Sequence, residues 1–452
     1  MREGSLEAPT RHAIAWRDEA FYDQVELDKE LRRVFDICHG CRRCFNLCDS
    51  FPRLFDMIDE CETGELDGVE SAQFKAVADA CTLCDMCYLT KCPYVPPHEF
   101  NLDFPHLMLR YRAVEARAGK VGFMDKQISE TDRNGRLGCA VAPLANWATG
   151  CSNKMTRPVM EGVAGIHRDA YLPKFHGKTL VARAKREARA VNAQAPAAGR
   201  KAVIYATCFA NYNNPDIGVA ALDVLAANGI DAEVVYPGCC GMPQLEHGDL
   251  ARVAKKAEIT AAAFADWIDK GYDVISLVPS CTLMMKFEWP LLVPDNEAVK
   301  RLSQATFDIS EYVSDIARNE GLAEGLAAAE GDVAVHVACH ARAQNMGRKA
   351  AEMLGHLPDT KVTVLERCSG HGGSWGIKKE NFDTALKIGK PVARQAAKAV
   401  SADSGAAYVV SECPLAREHI LQGMEKLGED ISNVETANHP IEIMARAYAK
   451  GS

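Results

Sequence analysis

Cys38-His-Gly-Cys41-Arg-Arg-Cys44-Phe-Asn-Leu-Cys48 and Cys81-Thr-Leu-Cys84-Asp-Met-Cys87-Tyr-Leu-Thr-Lys-Cys92-Pro93 are the stretches on which the reading of this chain turns. They hold eight of the 18 cysteines, and no chemistry that ignores them can account for the chain. The first run has the spacing Cys-x2-Cys-x2-Cys-x3-Cys; the second widens its last gap by one residue. Three thiolates on one looping helical turn suit three irons of a [4Fe-4S] cube, while the fourth cysteine of each run projects away and can ligate a second cube. One cluster is therefore assigned to Cys38, Cys41, Cys44 and Cys92, and the other to Cys81, Cys84, Cys87 and Cys48. Zinc is the competing reading, but it takes four ligands, usually as two separated Cys-x2-Cys pairs, and leaves the third cysteine of each run without a use.

At 452 residues the chain is too long for one core and is expected to hold about two to four domains. Apolar residues at 48% and charged residues at 25% are ordinary for a globular protein, which argues against long disordered tracts. The formal charge of −9 argues against nucleic acid as the main partner. Met1 to Asp18 lacks the apolar core and cleavage site of a secretory signal, and no run of 18 apolar residues predicts a spanning helix. The stretch Leu137 to Cys151, with Trp147, is read as a buried connector, with a place at a membrane or partner interface as the alternative. Many cysteines without a secretion signal point to a reducing compartment, so the expected location is the cytoplasm, with peripheral attachment to the inner face of the membrane left open.

Along the chain, residues 1–100 are read as a helical ferredoxin-like domain with two [4Fe-4S] clusters. Between the cysteine runs, Phe55, Ile58, Phe74, Val77 and Ala78 recur at helical spacing. Residues 101–200 show no strand pattern and read as a helical connector, closing with the basic stretch Lys174 to Arg189 and the linker Ala195 to Gly199. Residues 201–330 and 331–452 repeat one another. In the first repeat the predicted strands Ala202–Ala206, Ala232–Tyr236 and Val274–Val278 run into Cys208, Cys239-Cys240-Gly241 and Cys281, with helices Ile217–Ala227 and Leu250–Lys270 between them. In the second, Val333–Val337, Val362–Leu365 and Ala407–Val410 run into Cys339, Cys368-Ser369-Gly370 and Cys413. Each cysteine falls just beyond the carboxyl end of a strand, where parallel α/β sheets open their binding crevices. The expected fold is α+β and multidomain, with the helical two-cluster domain followed by two repeated α/β domains on small parallel sheets.

Thr207-Cys-Phe-Ala-Asn-Tyr-Asn-Asn-Pro215, Cys239-Cys-Gly-Met-Pro243, Ser280-Cys-Thr282, Ala338-Cys-His340, Gly376-Ile-Lys-Lys-Glu-Asn381 and His439-Pro-Ile441, taken with the cysteine runs, resemble the cysteine-rich CCG-domain iron–sulfur oxidoreductases related to heterodisulfide reductase subunits. The resemblance covers nearly the whole chain. It implies that the N-terminal domain relays single electrons through two cubane clusters, and that the CCG domains bind further clusters or form the redox site. A full CCG module offers five thiolates. The first here keeps Cys208, Cys239, Cys240 and Cys281, with Met284 at the last position, and four thiolates suffice for one further cluster. The second, a degenerate copy, keeps Cys339, Cys368 and Cys413, with Ser369 and Ala416 in place of cysteines. Three thiolates there hold a cluster with one open iron, completed by Ser369, His371, His340 or a small molecule, or the site is an empty scaffold.

Ser369, His340 and His371 are the candidates for chemistry beyond electron transfer, set against a structural reading of both histidines as hydrogen-bonded turn residues. The glycine-rich run Ser369 to Gly376 fails the dinucleotide fingerprint, because Trp375 stands where glycine is needed. Cys61, Cys139 and Cys151 are read as small hydrophobes, and Met284, Met285 and Trp289 as packing near Cys281. The expected function is an iron–sulfur electron-transfer subunit serving a partner dehydrogenase, another redox protein or a membrane-associated quinone. The alternative is a reductase of a disulfide or peroxide acting at an open cluster site. Donor, acceptor, potentials and oligomeric state are not legible in the sequence.

Overall fold

The computed structural model describes residues 8–401 and 406–451, so part of the N-terminal stretch read for targeting lies outside it. Its residues fall into two compact units.

The first unit runs to Ser129 and includes Gly241–Lys255 and Glu288–Asp295. Asp23 opens its leading helix, Gln24–Cys41, by accepting the amides of Val25 and Glu26 at 2.9 Å, which satisfies two of the orphan donors every helix start leaves. Leu27, Leu31, Val34 and Phe35 form the buried stripe of that helix. The helices Ser50–Asp59, Phe74–Ala80 and Phe104–Arg117 pack around it. Phe55, Ile58, Phe74, Val77 and Ala78, the positions singled out by periodicity, are all buried. Phe35 meets Phe74 edge to face at 5.1 Å, and Phe51 meets Phe104 at 4.7 Å. The N-terminal region is therefore helical.

The second unit comprises Glu130–Cys240, Lys256–Phe287 and the residues from Asn296 onward. Short helices fill its start, as far as Leu180–Ala184, and the two repeats follow. The first repeat forms a parallel sheet in the order β2-β1-β3-β4, from β1 (Ala202–Tyr205), β2 (Glu233–Val235), β3 (Asp273–Ser276) and β4 (Thr306–Asp308). The second forms a parallel sheet in the order β6-β5-β7, from β5 (Asp332–His336), β6 (Val362–Leu365) and β7 (Ala406–Ser411). In each, the first strand sits between the next two, so the chain leaves it in opposite directions and opens a crevice at the carboxyl ends. Helix Pro215–Ala227 of the first repeat packs on Pro440–Gly451 of the second, and Ile309–Asn319 of the first packs on Lys349–Leu354 of the second. The main apolar core consequently joins Ile204, Leu225, Ile275 and Tyr312 to Val335, Met353, Val410 and Met444. The two repeats share a core, so a substitution in either is expected to be felt by both.

His336, His419 and His439 are enclosed in this unit, and burial holds their imidazoles neutral, with pKa values lowered to about 4, about 4 and about 3. The unfolded chain protonates them near 6.5, whereas the folded chain resists. Below pH 6.5 the unfolded state therefore binds more protons, and stability falls as pH drops toward 4, by about 1.4 kcal/mol per pH unit for each histidine. Burial raises the carboxyls of Asp308 and Glu412 and acts in the opposite sense, so the histidine contribution is read by difference: the denaturant midpoint of His439→Gln will fall less between pH 7.5 and 5 than that of the wild type. An equal fall in both would show that His439 is solvated.

Candidate functional site

The first cysteine run straddles a helix end. Cys38 and Cys41 occupy the last turn of Gln24–Cys41, where Arg42 adopts a left-handed conformation and returns its amide to the Cys38 carbonyl at 2.8 Å. The chain then turns through Cys44 to Cys48 and enters the next helix at Ser50. The second run starts at the end of helix Phe74–Ala80 and makes two left-handed turns, at Leu83 and Asp85. It passes through the short helix Met86–Thr90 and closes with the Cys92 amide on the Cys87 carbonyl at 2.8 Å. Such loops bring i, i+3 and i+6 thiols round to one side.

The two runs interleave. Burial, and then the nearby thiols of Cys92, Cys44 and Cys41, push the Cys38 thiol well above its ordinary pKa. Cys87 is raised in the same way, by burial and then by Cys84, Cys81, Cys48 and Cys44. Cys38 thus has Cys92 of the other run beside it, and Cys87 has Cys48 and Cys44 of the other run beside it. Burial pushes Cys44 up to about 12. Thiols so crowded keep their protons at neutral pH unless a cation replaces them, which is the chemistry of a metal-ligating set. Among the described residues no three His, Cys, Asp or Glu side chains converge on a single ion-sized point. The first set instead borders a half-open pocket lined also by Ile37, Arg43, Phe51, Phe55, Pro93, Tyr94 and Leu102, which gives the thiols a mostly apolar wall.

Beside the second set lies an ion-pair cluster that sequence reading missed. Arg11 reaches Asp85 at 2.7 Å, Asp103 at 2.9 Å and Glu288 at 3.1 Å, and its guanidinium stands 4.4 Å over the Tyr88 ring. Burial opposes its charge, but the three carboxylates outweigh burial and hold it protonated. His106 joins them, 3.1 Å from Glu288. Asp85 is the left-handed residue between Cys84 and Cys87, so this cluster fixes the loop that presents those thiols.

In the second unit Cys208 starts the helix that follows β1, where Thr207 caps it by accepting the Ala210 amide at 3.1 Å. Cys239 and Cys240 lie beyond β2, and Cys281 lies in the short helix Pro279–Leu283 beyond β3. The thiols touch: Cys239 is hydrogen-bonded to Cys208 and to Cys240, and Cys240 to Cys281. Those bonds first, and burial second, raise Cys208 and Cys240. Met284, at the position of a fifth thiol, is fully buried. Asp132, more than a hundred residues upstream, accepts the Cys239 amide at 3.1 Å, the Tyr236 hydroxyl, and Lys256 Nζ at 3.1 Å. Lys256 also donates to the Cys239 carbonyl at 3.3 Å. We expect Asp132→Asn to keep the fold but weaken this clamp, lowering retention of any metal in the first repeat while the N-terminal iron is unchanged. Metal analysis before and after gel filtration checks this; equal loss from both regions would contradict it.

The second repeat is more open. Cys339 starts a short helix beyond β5, Cys368 accepts the Gly370 amide at 3.3 Å, and Cys413 caps helix Pro414–Lys426. Gly370 is left-handed, and a Cβ there would meet the Ala385 carbonyl oxygen at 2.0 Å, so only glycine fits. Ser369 accepts the His371 amide at 3.4 Å. The His371 ring stands 6.1 Å from that of His419, a residue sequence reading missed, and neither Nε2 has a hydrogen-bond partner. His340 shares a 2.8 Å hydrogen bond with Ser280 of the first repeat, and burial raises the Cys413 thiol against the pull of its backbone hydrogen bonds, with Cys281 adding to the rise. The cysteine-bearing ends of the two repeats thus adjoin, with the buried carboxyls Asp308 and Glu412 electrostatically coupled there. Burial pushes Asp308 up to about 7. Cys61, Cys139 and Cys151 stand apart, each donating to a backbone carbonyl.

Paired parallel sheets with cysteines at their carboxyl edges define a class, and residues 202–286 and 333–416 match the cysteine-rich domain family CCG. Two segments of the chain thus match that domain, and the chain is similar to subunits of dehydrogenases and reductases. It is 29% identical over 327 residues to one of the subunits of the anaerobic glycerol-3-phosphate dehydrogenase of Escherichia coli (strain K12), covering 71% of this chain and 76% of the relative. It is 26% identical over 257 residues to one from the fumarate reductase (CoM/CoB) of Methanothermobacter marburgensis, covering 56% and 47%. It is 24% identical over 295 residues to one from the dihydromethanophenazine:CoB–CoM heterodisulfide reductase of Methanosarcina acetivorans, covering 61% and 68%. The resemblance drawn from the motifs is thus borne out.

Proposed function

We propose that this protein is the iron–sulfur electron-transfer subunit of a larger oxidoreductase, peripheral at a membrane and serving a partner dehydrogenase or a quinone. The observation that carries the reading is the interleaving of Cys38, Cys41, Cys44 and Cys92 with Cys81, Cys84, Cys87 and Cys48. A [4Fe-4S] cube held by each set exchanges one electron at a time. The chain's own part is to hold eight thiolates in two adjoining apolar settings. Arg11 fixes the loop of the second set, and Asp132 and Lys256 fix Cys239 in the first repeat. Cys208, Cys239, Cys240 and Cys281 would hold a third cluster, with softness and number both suited to iron and sulfide.

The relatives' names as subunits support a partner that handles the organic substrate. The test is electron flow. The isolated, anaerobically prepared chain, reduced by dithionite, will pass electrons to a one-electron dye but will not oxidise organic substrates unaided. Robust substrate turnover by the chain alone would overturn the proposal.

A second reading makes the chain a reductase of a disulfide or peroxide. What favours it is the second repeat, where the buried Nε2 atoms of His371 and His419 have no hydrogen-bond partner and Cys368 is exposed. Paramagnetic resonance of the reduced chain with added thiols or peroxides separates the two, since a spectrum indifferent to all of them fits the relay.

A further inference from the structure

Helix Thr156–Ala164 is inside out. Its polar side chains are enclosed: Arg157 is 1% exposed and donates to the carbonyls of Arg168, His167 and Ala170 at 2.6–2.7 Å, while Glu161 is 7% exposed and pairs with Arg168. Its apolar side chains face out instead, with Val159 at 63% and Val163 at 68% exposed, beside Met155 at 78%. The two helices before it do the same. In Thr131–Ala140 the glycines turn inward, Gly135 against Tyr212 and Gly138 against Phe175, and Leu137 is left outside. Ala142–Thr149 presents Leu144 and Trp147, which are 62% and 57% exposed. Of the thirteen large apolar side chains exposed among the described residues, seven lie between Leu137 and Val163. The buried-connector reading of this stretch is thereby overturned, because the inward positions are taken by glycines and a satisfied Arg157.

Charge says what covers this face. Between Glu130 and Lys178 the acidic residues are the half-buried Glu130, Asp132, bound to the Cys239 amide and Lys256, Glu161, which is buried, and the exposed Asp169, 3.3 Å from Lys426. The exposed basic residues as far as His167 are Arg136 and Lys154. Two more exposed lysines, Lys174 and Lys178, flank Phe175, whose backbone is held to Asn146 by two 2.8 Å hydrogen bonds. An apolar platform with a tryptophan and a basic rim, on a chain whose net charge is −9, matches a bilayer surface with anionic headgroups. None of the three helices is long and apolar enough to cross a bilayer, so the platform would lie in the interface rather than span it.

We infer that the helices Thr131–Ala140, Ala142–Thr149 and Thr156–Ala164 form an interfacial platform that seats the protein on an anionic phospholipid surface. This deepens the peripheral location proposed above. The test is co-sedimentation of the full chain with vesicles of phosphatidylcholine alone or with 30% phosphatidylglycerol, at low and high salt, with iron content and dye reduction measured on the same samples. The wild type should bind the anionic vesicles, more weakly at high salt, and brominated lipid should quench Trp147, a signal absent from Trp147→Phe. Leu144→Glu/Trp147→Glu/Val159→Glu, all at exposed positions, should bind at least about tenfold more weakly with unchanged iron and dye activity. Undiminished binding by this variant would overturn the inference. So would a wild type that ignores both vesicles, or one whose platform is covered by a co-purifying protein. Loss of iron or dye activity in the wild type would instead count against the electron-transfer reading alone.

Discussion

Replacing Cys92 with alanine is expected to remove the cluster of the first cysteine run, not of its own. Cys38 has Cys92 as its foremost thiol neighbour, and Cys87 has Cys48 among its own. Loss of a ligand at a four-thiolate site leaves one iron open and the cube labile, so each such variant should lose about four of about eight N-terminal irons. The informative result is the pairing. Cys38→Ala and Cys92→Ala should leave one and the same surviving paramagnetic signal, while Cys81→Ala and Cys48→Ala should leave the other. If Cys48→Ala groups with Cys38→Ala, each run serves its own cluster and the interleaving has been misread.

Arg11→Ala should be the most damaging change outside the cysteines. It leaves Asp85 and Glu288, each about 5% exposed, as buried carboxylates without their shared cation. Breaking a buried pair in this way costs about 3–5 kcal/mol, because the stranded charge keeps its desolvation penalty. Asp85 lies between Cys84 and Cys87, so the loss should also fall selectively on iron at the second thiol set. Arg11→Lys should recover part of the stability but not all, since an ammonium cannot reproduce the fork that spans Asp85 and Asp103. Denaturant midpoints with iron per chain measure both effects. A variant as stable as the wild type would show that solvent, rather than Arg11, satisfies these carboxylates.

Local pattern carried most of the fold. Six of the seven strands among the described residues fall within a residue or two of where apolar runs ending in cysteine place them, because strand, turn and cysteine are neighbours in sequence. β4 was missed because Thr306–Asp308 is three residues long, sits directly between helices ending at Ala305 and starting at Ile309, and has no glycine or proline to mark it. The thiols of the site were legible by spacing alone. Their supports were not: Arg11 meets carboxylates at positions 85, 103 and 288, Asp132 meets Cys239, and His419 meets His371 only after the chain has folded. One local signal misled. The apolar stretch Leu137 to Cys151 suggests a buried connector, whereas Leu137, Leu144 and Trp147 lie exposed, because Gly135 and Gly138 take the inward positions.

Iron and acid-labile sulfide per chain, measured on material purified and reconstituted without oxygen, test the central assignment most directly. Two N-terminal cubes require brown protein with about eight irons and as many sulfides, rising to about twelve if the first CCG domain is also filled. Colourless protein free of sulfide, with about two zinc ions per chain, would contradict it.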